Sequence, residues 1–416
     1  MSPLRAGYRP TDIPETRRAE MLAVDTWAFP TTVSDEQMLE MPSSLTWERT
    51  RGVETDDGEL VACHSSYPYS AFPVPGTTTA VSGLTWVGVH PAHRRRGLLR
   101  SMIDDHFSRS LARGEAVSAL FAAEPAIYGR FGYGLAAFDL RLTVPRGAEL
   151  RDVEGADALR VRLERLDPET HGPAIQRVHA AVDRPGWATR QTPELLAAFL
   201  SDPEPFREGR ESLRIALVER DGDPVGYALF RRKSVWEATG PRGTVYVREV
   251  VTPDGATSRA LWGVLLDLDL MATVESWLMP VDDPLLHLLV DPRATEPKIS
   301  DNLWVRLLDV PVALAARRYR APVDVVLDVT DGLLPANQGR WRLVGGPDGA
   351  TVERVDGDAT ADLRLDVREL GAAYLGGTTL AGLAGAGLVT ELNPGSVDRA
   401  SLAFGWHQPP VCSWIW

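Results

Sequence analysis

The fold of this chain is decided by residues 87–103, VGVHPAHRRRGLLRSMI, where a strand-like run gives way to a helix-like run after Pro91. Apolar residues recur at helical spacing over 96–113, which predicts an amphipathic helix there. The first N–H groups of a helix have no intrahelical partner, and the helix dipole adds positive potential at that end. Gly97 leaves room for an anion to approach, and the arginines around it can donate charge-assisted hydrogen bonds. The segment therefore predicts a cradle that binds a pyrophosphate group.

Two other phosphate-binding motifs do not fit this segment. No Gly-Lys-Ser/Thr follows, as a Walker A loop requires, and the glycine spacing is not that of a dinucleotide-binding turn. A simpler alternative is a solvated basic helix start with an incidental glycine. The preceding strand, Pro91 and three consecutive arginines together favour the pyrophosphate cradle.

The residues around the cradle predict a mixed α/β block. Stretches rich in Val, Thr and aromatic residues at 59–71 and 77–89 predict long strands, and the Pro-Gly pair at 75–76 predicts the turn between them. The other predicted elements are a helix over 11–28, a short strand at 117–122, a helical turn near 125–131 and a strand at about 133–144.

Two further blocks follow a linker predicted at 146–157. The second repeats the plan of the first loosely, which suggests an internal duplication; its predicted elements are a hairpin at 212–219 and 224–233, a strand at 243–251 and a helix at 256–269. Beyond about 321 the pattern predicts a compact α+β domain, with strands at 323–328, 340–344, 350–354 and 361–366 before a helical region of small residues. The chain ends in PPVCSWIW, and burying two indoles contributes several kcal/mol, so we expect this end to be tucked into the protein.

Composition disfavours several classes of protein. The net charge of −13 disfavours nucleic acid and anionic membranes, although it also serves solubility or attracts a cationic ligand. No apolar run has the length of a membrane span, and the first residues lack the apolar core of a signal peptide. Cys63 and Cys412 are the only cysteines, and the histidines show no metal-binding spacing. We therefore expect a cytoplasmic protein without a metal or a disulfide framework.

Residues 94–99, Arg-Arg-Arg-Gly-Leu-Leu, resemble motif A of the GCN5-related N-acetyltransferases (GNAT). In that superfamily the pattern Gln/Arg-x-x-Gly-x-Gly/Ala binds the pyrophosphate of acetyl-CoA; here Leu99 takes the usual small position. The resemblance implies acetyl-CoA as co-substrate. It also implies that the strand at 87–89 hydrogen-bonds the pantetheine arm, and that a main-chain N–H of this strand polarises the acetyl carbonyl.

With residues 124–134, EPAIYGRFGYG, the chain further resembles the enhanced intracellular survival (Eis) family of aminoglycoside acetyltransferases. That resemblance implies an α+β fold: two tandem GNAT-type mixed α/β domains, the second degenerate, and a C-terminal sterol-carrier-protein-like domain. On this plan we expect domains at 1–147, 148–305 and 306–416. It also implies a homo-hexamer that acetylates amines, with aminoglycoside-like small molecules as the expected acceptors.

The resemblance assigns roles to individual residues. Tyr128 would be the general acid, and the α-carboxylate of Trp416 the general base, acting through water. The expected coenzyme contacts are Val87, Gly88, Val89, Arg95, Arg96, Gly97, Leu98, Leu99, Arg100, Ala123 and Glu124. Phe121 and Ala123 replace His and Ser residues that relatives often have at these positions. Ile415 replaces an often acidic residue, which weakens the expectation of a strongly polycationic substrate.

Further expectations concern the acceptor pocket and the second block. Asp25, Trp27 and Phe29 are candidates for the amine pocket because they lie where relatives build it. In the second block the stretch that matches the cradle, residues 253–259, reads Pro-Asp-Gly-Ala-Thr-Ser-Arg. Asp254 would repel pyrophosphate, so we expect one coenzyme site per chain.

Two alternatives to a small-molecule acetyltransferase remain open at this point. A protein or peptide lysine acetyltransferase would differ in the width of its acceptor pocket, which the sequence does not show. A lipid-binding carrier would use the C-terminal domain, whose small-residue helices can line an apolar cavity. Lipid carriage, however, has no need of a pyrophosphate cradle.

Overall fold

A computed structural model describes residues 4–355 and 359–416, which divide into two units. One unit contains the residues up to Ala137, Leu303–Pro410 and Trp416; the other contains Phe138–Asn302 and Val411–Ile415. The chain thus leaves the first unit, builds the second and returns, and its last residues are divided between them. Among the described residues, no helix combines the length and the apolar character that crossing a bilayer requires.

The N-terminal part of the chain builds a mixed α/β sheet around a long hairpin. Its elements are β1 Tyr8–Asp12, α1 Arg18–Ala28, α2 Asp35–Glu40, β2 Arg51–Thr55, β3 Leu60–Val74, β4 Thr77–Val89, α3 Leu98–Ala112, β5 Val117–Leu120, α4 Pro125–Tyr128 and β6 Gly134–Leu135. The strands β3 and β4 pair antiparallel on either side of the turn at 75–76, as the sequence predicts. Their aromatic and aliphatic side chains, among them Tyr69, Phe72 and Leu84, are buried.

The second unit is a sheet of its own with helices packed against it. Its elements are β7 Phe138–Pro145, β8 Arg160–Arg165, α5 Pro168–Ala180, α6 Pro193–Leu200, β9 Arg214–Arg220, β10 Asp223–Lys233, β11 Trp236–Glu237, β12 Gly240–Pro241, β13 Gly243–Val251, α7 Gly255–Leu265, β14 Met271–Met279, α8 Leu285–Leu288 and β15 Lys298–Asp301. The sheet has the order β15-β7-β14-β13-β10-β9-β8. Its core surrounds Trp262, which is fully buried on α7. The hairpin, strand and helix predicted for the second block are therefore confirmed.

The last part of the chain completes the first sheet and builds a third. Its elements are β16 Trp304–Leu307, α9 Val310–Ala315, β17 Val323–Thr330, β18 Gly339–Gly346, β19 Gly349–Arg354, β20 Leu363–Asp366, α10 Val367–Ala373, α11 Leu380–Gly385, β21 Val389–Glu391 and α12 Ser396–Phe404. The third sheet has the order β19-β18-β17-β20-β21, and the first has the order β1-β2-β3-β4-β5-β16-β6. The predicted α+β domain near the C-terminus is confirmed.

Near the domain boundaries expected at 147/148 and 305/306, the chain passes between the first two sheets. The single strand predicted over 133–144 is two strands, of which β6 belongs to the first sheet and β7 to the second. Similarly, β16 returns to the first sheet and pairs with both β5 and β6. The physical reason is a crossover: the N–H groups of Ala136 and Ala137 both donate to the carbonyl of Leu303, at 2.9 and 3.1 Å. The outgoing and returning chains therefore lie side by side, a contact that local sequence does not show.

Candidate active site

The centre of the first sheet contains an opening between two parallel strands. Residues Val81–Gly83 of β4 pair with Val117–Ala119 of β5, and no described strand pairs with that edge of β4 beyond Gly83. On its other edge β4 remains bonded to β3 up to Val89. We call this opening the fork. Backbone groups of residues 84–89 that face this edge can bond an extended ligand, as an added strand would.

A bulge turns β4 within the fork. The register with β3 shifts between the pair Ser65–Thr85 and the pair Cys63–Gly88. At the bulge Trp86 adopts φ +54°, a left-handed conformation that is uncommon for a bulky residue. Bulges redirect a strand and cluster next to functional sites. The three strand residues predicted to contact a coenzyme, Val87, Gly88 and Val89, therefore lie in the fork just after this bend.

The predicted cradle lies at the start of α3, which follows β4. Gly97 is the residue before the helix and adopts φ +83°, a conformation that an L-residue with a side chain adopts only with strain. A Cβ built there meets no atom within 4 Å, so the space beside it is open. No side chain caps this helix start, and the first backbone bond runs from Ser101 N to Gly97 O at 3.1 Å. The N–H groups of Leu98, Leu99 and Arg100 therefore have no helical acceptor.

The arginines of the cradle are exposed and differ in how they are held. Arg95 has φ +59°, so backbone strain again falls on the loop that leads into the helix. In the described part of the chain neither Arg94 nor Arg95 has a carboxylate partner. Arg100 lies 3.3 Å from Asp104 one turn further along α3. The helix start and these guanidinium groups make a positively charged site that fits a diphosphate.

Tyr8 on β1 belongs to this site, although sequence reasoning missed it. Its hydroxyl accepts a hydrogen bond from Arg96 and lies 2.9 Å from Nδ1 of His93. The guanidinium of Arg96 also donates to the carbonyl of Ala92 at 3.1 Å. These contacts fix the direction of one guanidinium in the cradle. Tyr8 and Arg96 are 88 residues apart, and no local pattern links them.

The segment after β5 carries Tyr128, which packs in the same apolar cluster as Val87 of the fork strand. Ala123 and Glu124 are exposed, and Glu124 is the residue before the short helix α4. Tyr128, in the last position of that helix, is half-buried. Burial raises the pKa of Tyr128 to about 12, and the charge of Glu124 acts in the same direction. The hydroxyl therefore remains protonated at neutral pH.

A buried hydrogen-bond chain supports the wall beside Tyr128. Its ring meets that of Tyr133 edge-on, with centroids 5.9 Å apart. The hydroxyl of Ser118 lies 2.8 Å from the Tyr133 hydroxyl and 2.8 Å from Nε2 of His106, and it donates to the carbonyl of Ser82 at 3.1 Å. Because Ser118 has a single hydrogen and gives it to a carbonyl, the other two groups donate to Ser118. This network links β4 and β5 at the closed end of the fork.

The indole of Trp416 packs on the first sheet, against residues of β3 and of the segment after β5. Its ring centroid lies 4.8 Å from that of Phe121, just after β5, and 5.0 Å from that of Tyr69 on β3. A Cβ at Gly83, the last paired residue of β4, would come within 3.1 Å of the indole nitrogen and 2.5 Å of the Tyr69 ring. The prediction that the chain end is tucked in is therefore confirmed. Tyr128 packs in the apolar cluster that contains Leu120 of β5, and Trp416 contacts Phe121 just after that strand, although 288 positions separate Tyr128 from Trp416.

The candidates for the amine pocket lie at the end of α1. Asp25 is buried, and burial raises the pKa of its carboxyl to about 6. Trp27 and Phe29 are 63% and 42% exposed, and the Trp27 ring meets that of His90 at 5.3 Å. A Cβ at Gly88 would lie 3.4 Å from the side chain of Ala28, so α1 passes directly over the fork strand. The structure thus places α1, whose end carries these candidates, against the fork strand.

The matching helix start in the second sheet has a different chemistry. Asp254 precedes α7, and its carboxylate accepts a hydrogen bond from the N–H of Thr257 at 2.7 Å. The same carboxylate pairs with Arg220 at 2.9 Å. A negative side chain therefore occupies the helix end that is uncapped in α3. This agrees with the expectation that the second block has lost its cradle.

Comparison with known proteins identifies each block. The family model of a GNAT acetyltransferase domain matches residues 9–136, another GNAT acetyltransferase model matches residues 184–307, and a sterol carrier protein model matches residues 310–413. An uncharacterised N-acetyltransferase of Streptomyces coelicolor is 41% identical over 378 residues, covering 87% of this chain and 88% of that protein. The N-acetyltransferase Eis of Mycobacterium tuberculosis is 35% identical over 350 residues, 81% of each chain.

Solved structures agree with these matches. The crystal structure of Eis1 from Mycobacterium abscessus has a TM-score of 0.81 and 31% sequence identity, and the match covers 98% of this chain and 100% of that one. A GNAT protein from Kribbella flavida has a TM-score of 0.75 at 27% identity, with 98% of each chain covered. With two GNAT domains followed by a sterol-carrier-protein-like domain, this chain belongs to the Eis family of N-acetyltransferases.

Proposed function

We propose that the first GNAT domain binds acetyl-CoA along the fork and transfers its acetyl group to the amine of a small molecule. One observation carries this proposal: the uncapped start of α3, with Gly97 at φ +83°, lies directly after the fork strand. A diphosphate on those amides and an extended pantetheine arm along residues 84–89 would be continuous. The second domain, with Asp254 on the equivalent helix, is proposed to bind no coenzyme.

The residues present fit such a coenzyme. The N–H groups of Leu98, Leu99 and Arg100 would hold the diphosphate, with Arg95 and Arg96 beside them. Val87, Gly88 and Val89 would bond the pantetheine arm, and a main-chain N–H of this strand would polarise the acetyl carbonyl. Ala123 and Glu124, at the exposed end of the loop after β5, would complete the coenzyme contacts.

Acetyl-CoA supplies the acetyl thioester. The chain's own residues orient the amine and stabilise the negative charge that develops on the leaving sulfur. The Tyr128 hydroxyl, with a pKa of about 12, donates a hydrogen bond and keeps its proton as negative charge grows on the sulfur. Full transfer of that proton to a thiolate is uphill, since the conjugate thiol has a pKa of only about 8.5. The proton lost by the amine nitrogen balances the one that the thiol gains. Tyr128 is therefore an acid chiefly in the sense of a hydrogen-bond donor.

The proposed partner of Tyr128 is the α-carboxylate of Trp416. A carboxylate with a reference pKa of about 3.5 is a weak base, so its main role is to bind and orient the amine, with a water molecule carrying the proton. The packing of the Trp416 indole against Phe121 and Tyr69 supports this position. Asp25, at the end of α1, is a second carboxyl group for the same amine.

We further propose aminoglycoside-like polyamines as a class of acceptor, in a cytoplasmic homo-hexamer. The support is the family membership together with the net charge of −13, which favours cationic substrates. Lysine side chains of peptides are the second candidate acceptor, and the exposed side chains of Trp27 and Phe29 are surfaces that such a ligand could contact. Sedimentation of the purified protein would test the hexamer.

The experiment is an acceptor screen that measures release of the coenzyme's thiol. Small polyamines and lysine peptides are compared with the parent chain, Tyr128→Phe and a chain lacking Trp416. We expect turnover with polyamines and a loss of about 100-fold in each variant, the usual size of an acid–base contribution. Equal turnover in the parent and both variants would refute the assigned roles, and turnover with peptides alone would replace the substrate class.

A further inference from the structure

The second GNAT domain has a fork of its own. Residues Thr244–Val247 of β13 pair parallel with Thr273–Ser276 of β14, and no described strand pairs with that edge of β13 beyond Val247. As in the first domain, the two strands are joined by a helix, here α7. We call this opening the second fork. In the first domain the equivalent opening is the proposed place of the coenzyme.

Residue Ser413 of the chain's own last segment reaches the β13 side of the second fork. Its hydroxyl donates to Oε1 of Glu249 on β13 at 2.8 Å. The same carboxylate accepts from Arg190 at 2.5 Å and from the Tyr227 hydroxyl at 2.6 Å. Since the single hydrogen of Ser413 goes to Glu249, the Nε2–H of His179, at 3.1 Å, donates to Ser413. All five side chains are buried.

The adjacent residue, Cys412, is held by Asn302, which directly follows β15. Its N–H donates to Oδ1 of Asn302 at 2.8 Å, and its carbonyl accepts from Nδ2 of Asn302 at 3.1 Å. The side chain of Asn302 and the backbone of Leu278 on β14 both act to lower the pKa of Asp139 on β7, against the effect of burial. The segment therefore has one polar anchor on β13, Glu249, and one at the end of β15, Asn302.

Trp414 fills the apolar part of the same site. Its indole is 5% exposed and donates to the carbonyl of Ala188 at 2.7 Å. The guanidinium of Arg190 lies 5.0 Å from the Trp414 ring and 3.4 Å from that of Phe199, a geometry of cation–π contact. The buried arginine thus binds the segment twice, through the indole and, by way of Glu249, through Ser413.

The carboxylate of Glu249 is charged in this site. Burial alone would raise its pKa, but the guanidinium of Arg190 and the hydrogen bond from Tyr227 hold the pKa below its usual value. A buried carboxylate is costly unless its hydrogen-bonding capacity is filled, and Ser413 supplies one of those bonds. Water is a poor substitute because the site is closed. The second domain therefore gains stability by keeping residues 411–415 in place.

We infer that the second fork binds the chain's own residues 411–415 where the first would bind a coenzyme, and that Ser413 and Asn302 are positioning residues for Trp416. The role of Trp416 rests on the proposed function. Only Ile415 separates the buried Trp414 from Trp416. Holding Trp414 in place therefore restricts where the α-carboxylate of Trp416 can lie. The second domain would then act on catalysis through the backbone that joins Trp414 to Trp416.

Digestion from the C-terminus tests the binding of this segment independently of catalysis. Carboxypeptidase Y is added to the parent, Ser413→Ala and Asn302→Ala, and the removal of Trp414 is timed by mass spectrometry of the chain. We expect removal at least about tenfold faster in both variants. Ser413→Ala loses a hydrogen bond to a charged carboxylate, Asn302→Ala loses two hydrogen bonds to the backbone of Cys412, and cleavage follows the population in which the segment is detached. Ser258→Ala is the matched control and should match the parent, because the buried hydroxyl of Ser258 on α7 has no hydrogen-bond partner among the described residues.

Steady-state turnover then tests positioning. In Ser413→Ala and Asn302→Ala we expect kcat to fall about tenfold or more while KM for acetyl-CoA changes little, and Ser413→Thr, which keeps the hydroxyl, to recover most of kcat. Equal rates of digestion in all variants would overturn the inference. Faster digestion with unchanged kcat would support the binding of residues 411–415 in the second fork but would refute the positioning of Trp416 by Ser413 and Asn302.

Discussion

Placing a negative charge at Gly97 tests the cradle sharply, because the second domain shows what a carboxylate does at that end of a helix. There Asp254 accepts the N–H of Thr257 and occupies the helix start. We therefore compare Gly97→Asp with Gly97→Asn, which have nearly the same shape. Both must adopt φ +83°, at a cost of about 1 kcal/mol, so both should lower the melting temperature by the same few degrees.

The difference between the two variants isolates the charge. A carboxylate about 6 Å from a doubly charged diphosphate is repelled by about 1.4 kcal/mol with the dielectric constant of water, and by several kcal/mol near a protein surface. Since 1.4 kcal/mol is a factor of ten in affinity, Gly97→Asp should bind coenzyme A at least tenfold more weakly than Gly97→Asn. Because the Debye length is about 3 Å in 1 M salt, the difference should shrink there.

Isothermal titration calorimetry with coenzyme A, at low and high salt, measures both effects. Thermal melting monitored by circular dichroism checks that the two variants are equally folded. The reasoning is refuted if the two variants have equal affinities at low salt, or if their difference does not change with salt. Either result would mean that the diphosphate binds away from the start of α3.

Three further predictions follow from the same contacts. Because the pKa of Tyr128 is raised to about 12, its hydroxyl stays protonated up to at least pH 10; the profile of kcat from pH 7 to 10 should keep its shape in Tyr128→Phe while its height falls, and an alkaline limb that disappears in the variant would contradict this. Adding one glycine after Trp416 moves the carboxylate by about 3.5 Å, so kcat should fall about 100-fold with little change in KM for acetyl-CoA; full activity would exclude that carboxylate. Asp331→Asn removes the negative partner of the buried Arg306 guanidinium, whose Nη2 lies 2.8 and 2.6 Å from the two carboxylate oxygens, and should cost about 3–5 kcal/mol in urea unfolding. Asp324→Asn, in an exposed ion pair, should cost about 1 kcal/mol or less.

The sequence predicts those parts of the fold whose cause is local. The hairpin around 75–76 and the helix after the cradle are readable because alternation, turn residues and helical spacing act over a few residues. The helix begins at Leu98, two positions later than predicted, because Arg95 and Gly97 adopt left-handed conformations that a periodic pattern does not reveal. The cradle was predicted for the same reason: its residues are consecutive.

The parts that could not be predicted depend on distant residues. The membership of β7 in the second sheet and of β16 in the first depends on a contact between Ala136 and Leu303. The hydrogen bond from Ser413 to Glu249 joins residues that are 164 positions apart. A tail rich in tryptophan predicts burial, because apolar area is costly in water. It does not say which surface receives it, since many apolar surfaces satisfy that requirement.

Amide hydrogen exchange with and without coenzyme A tests the central claim most directly, because the claim concerns particular N–H groups. We predict that coenzyme A slows exchange in the peptide covering Leu98–Arg100 and leaves the equivalent start of α7, Gly255–Ser258, unchanged. Unchanged exchange at Leu98–Arg100 on saturation with coenzyme A, or protection at α7 instead, would contradict the account.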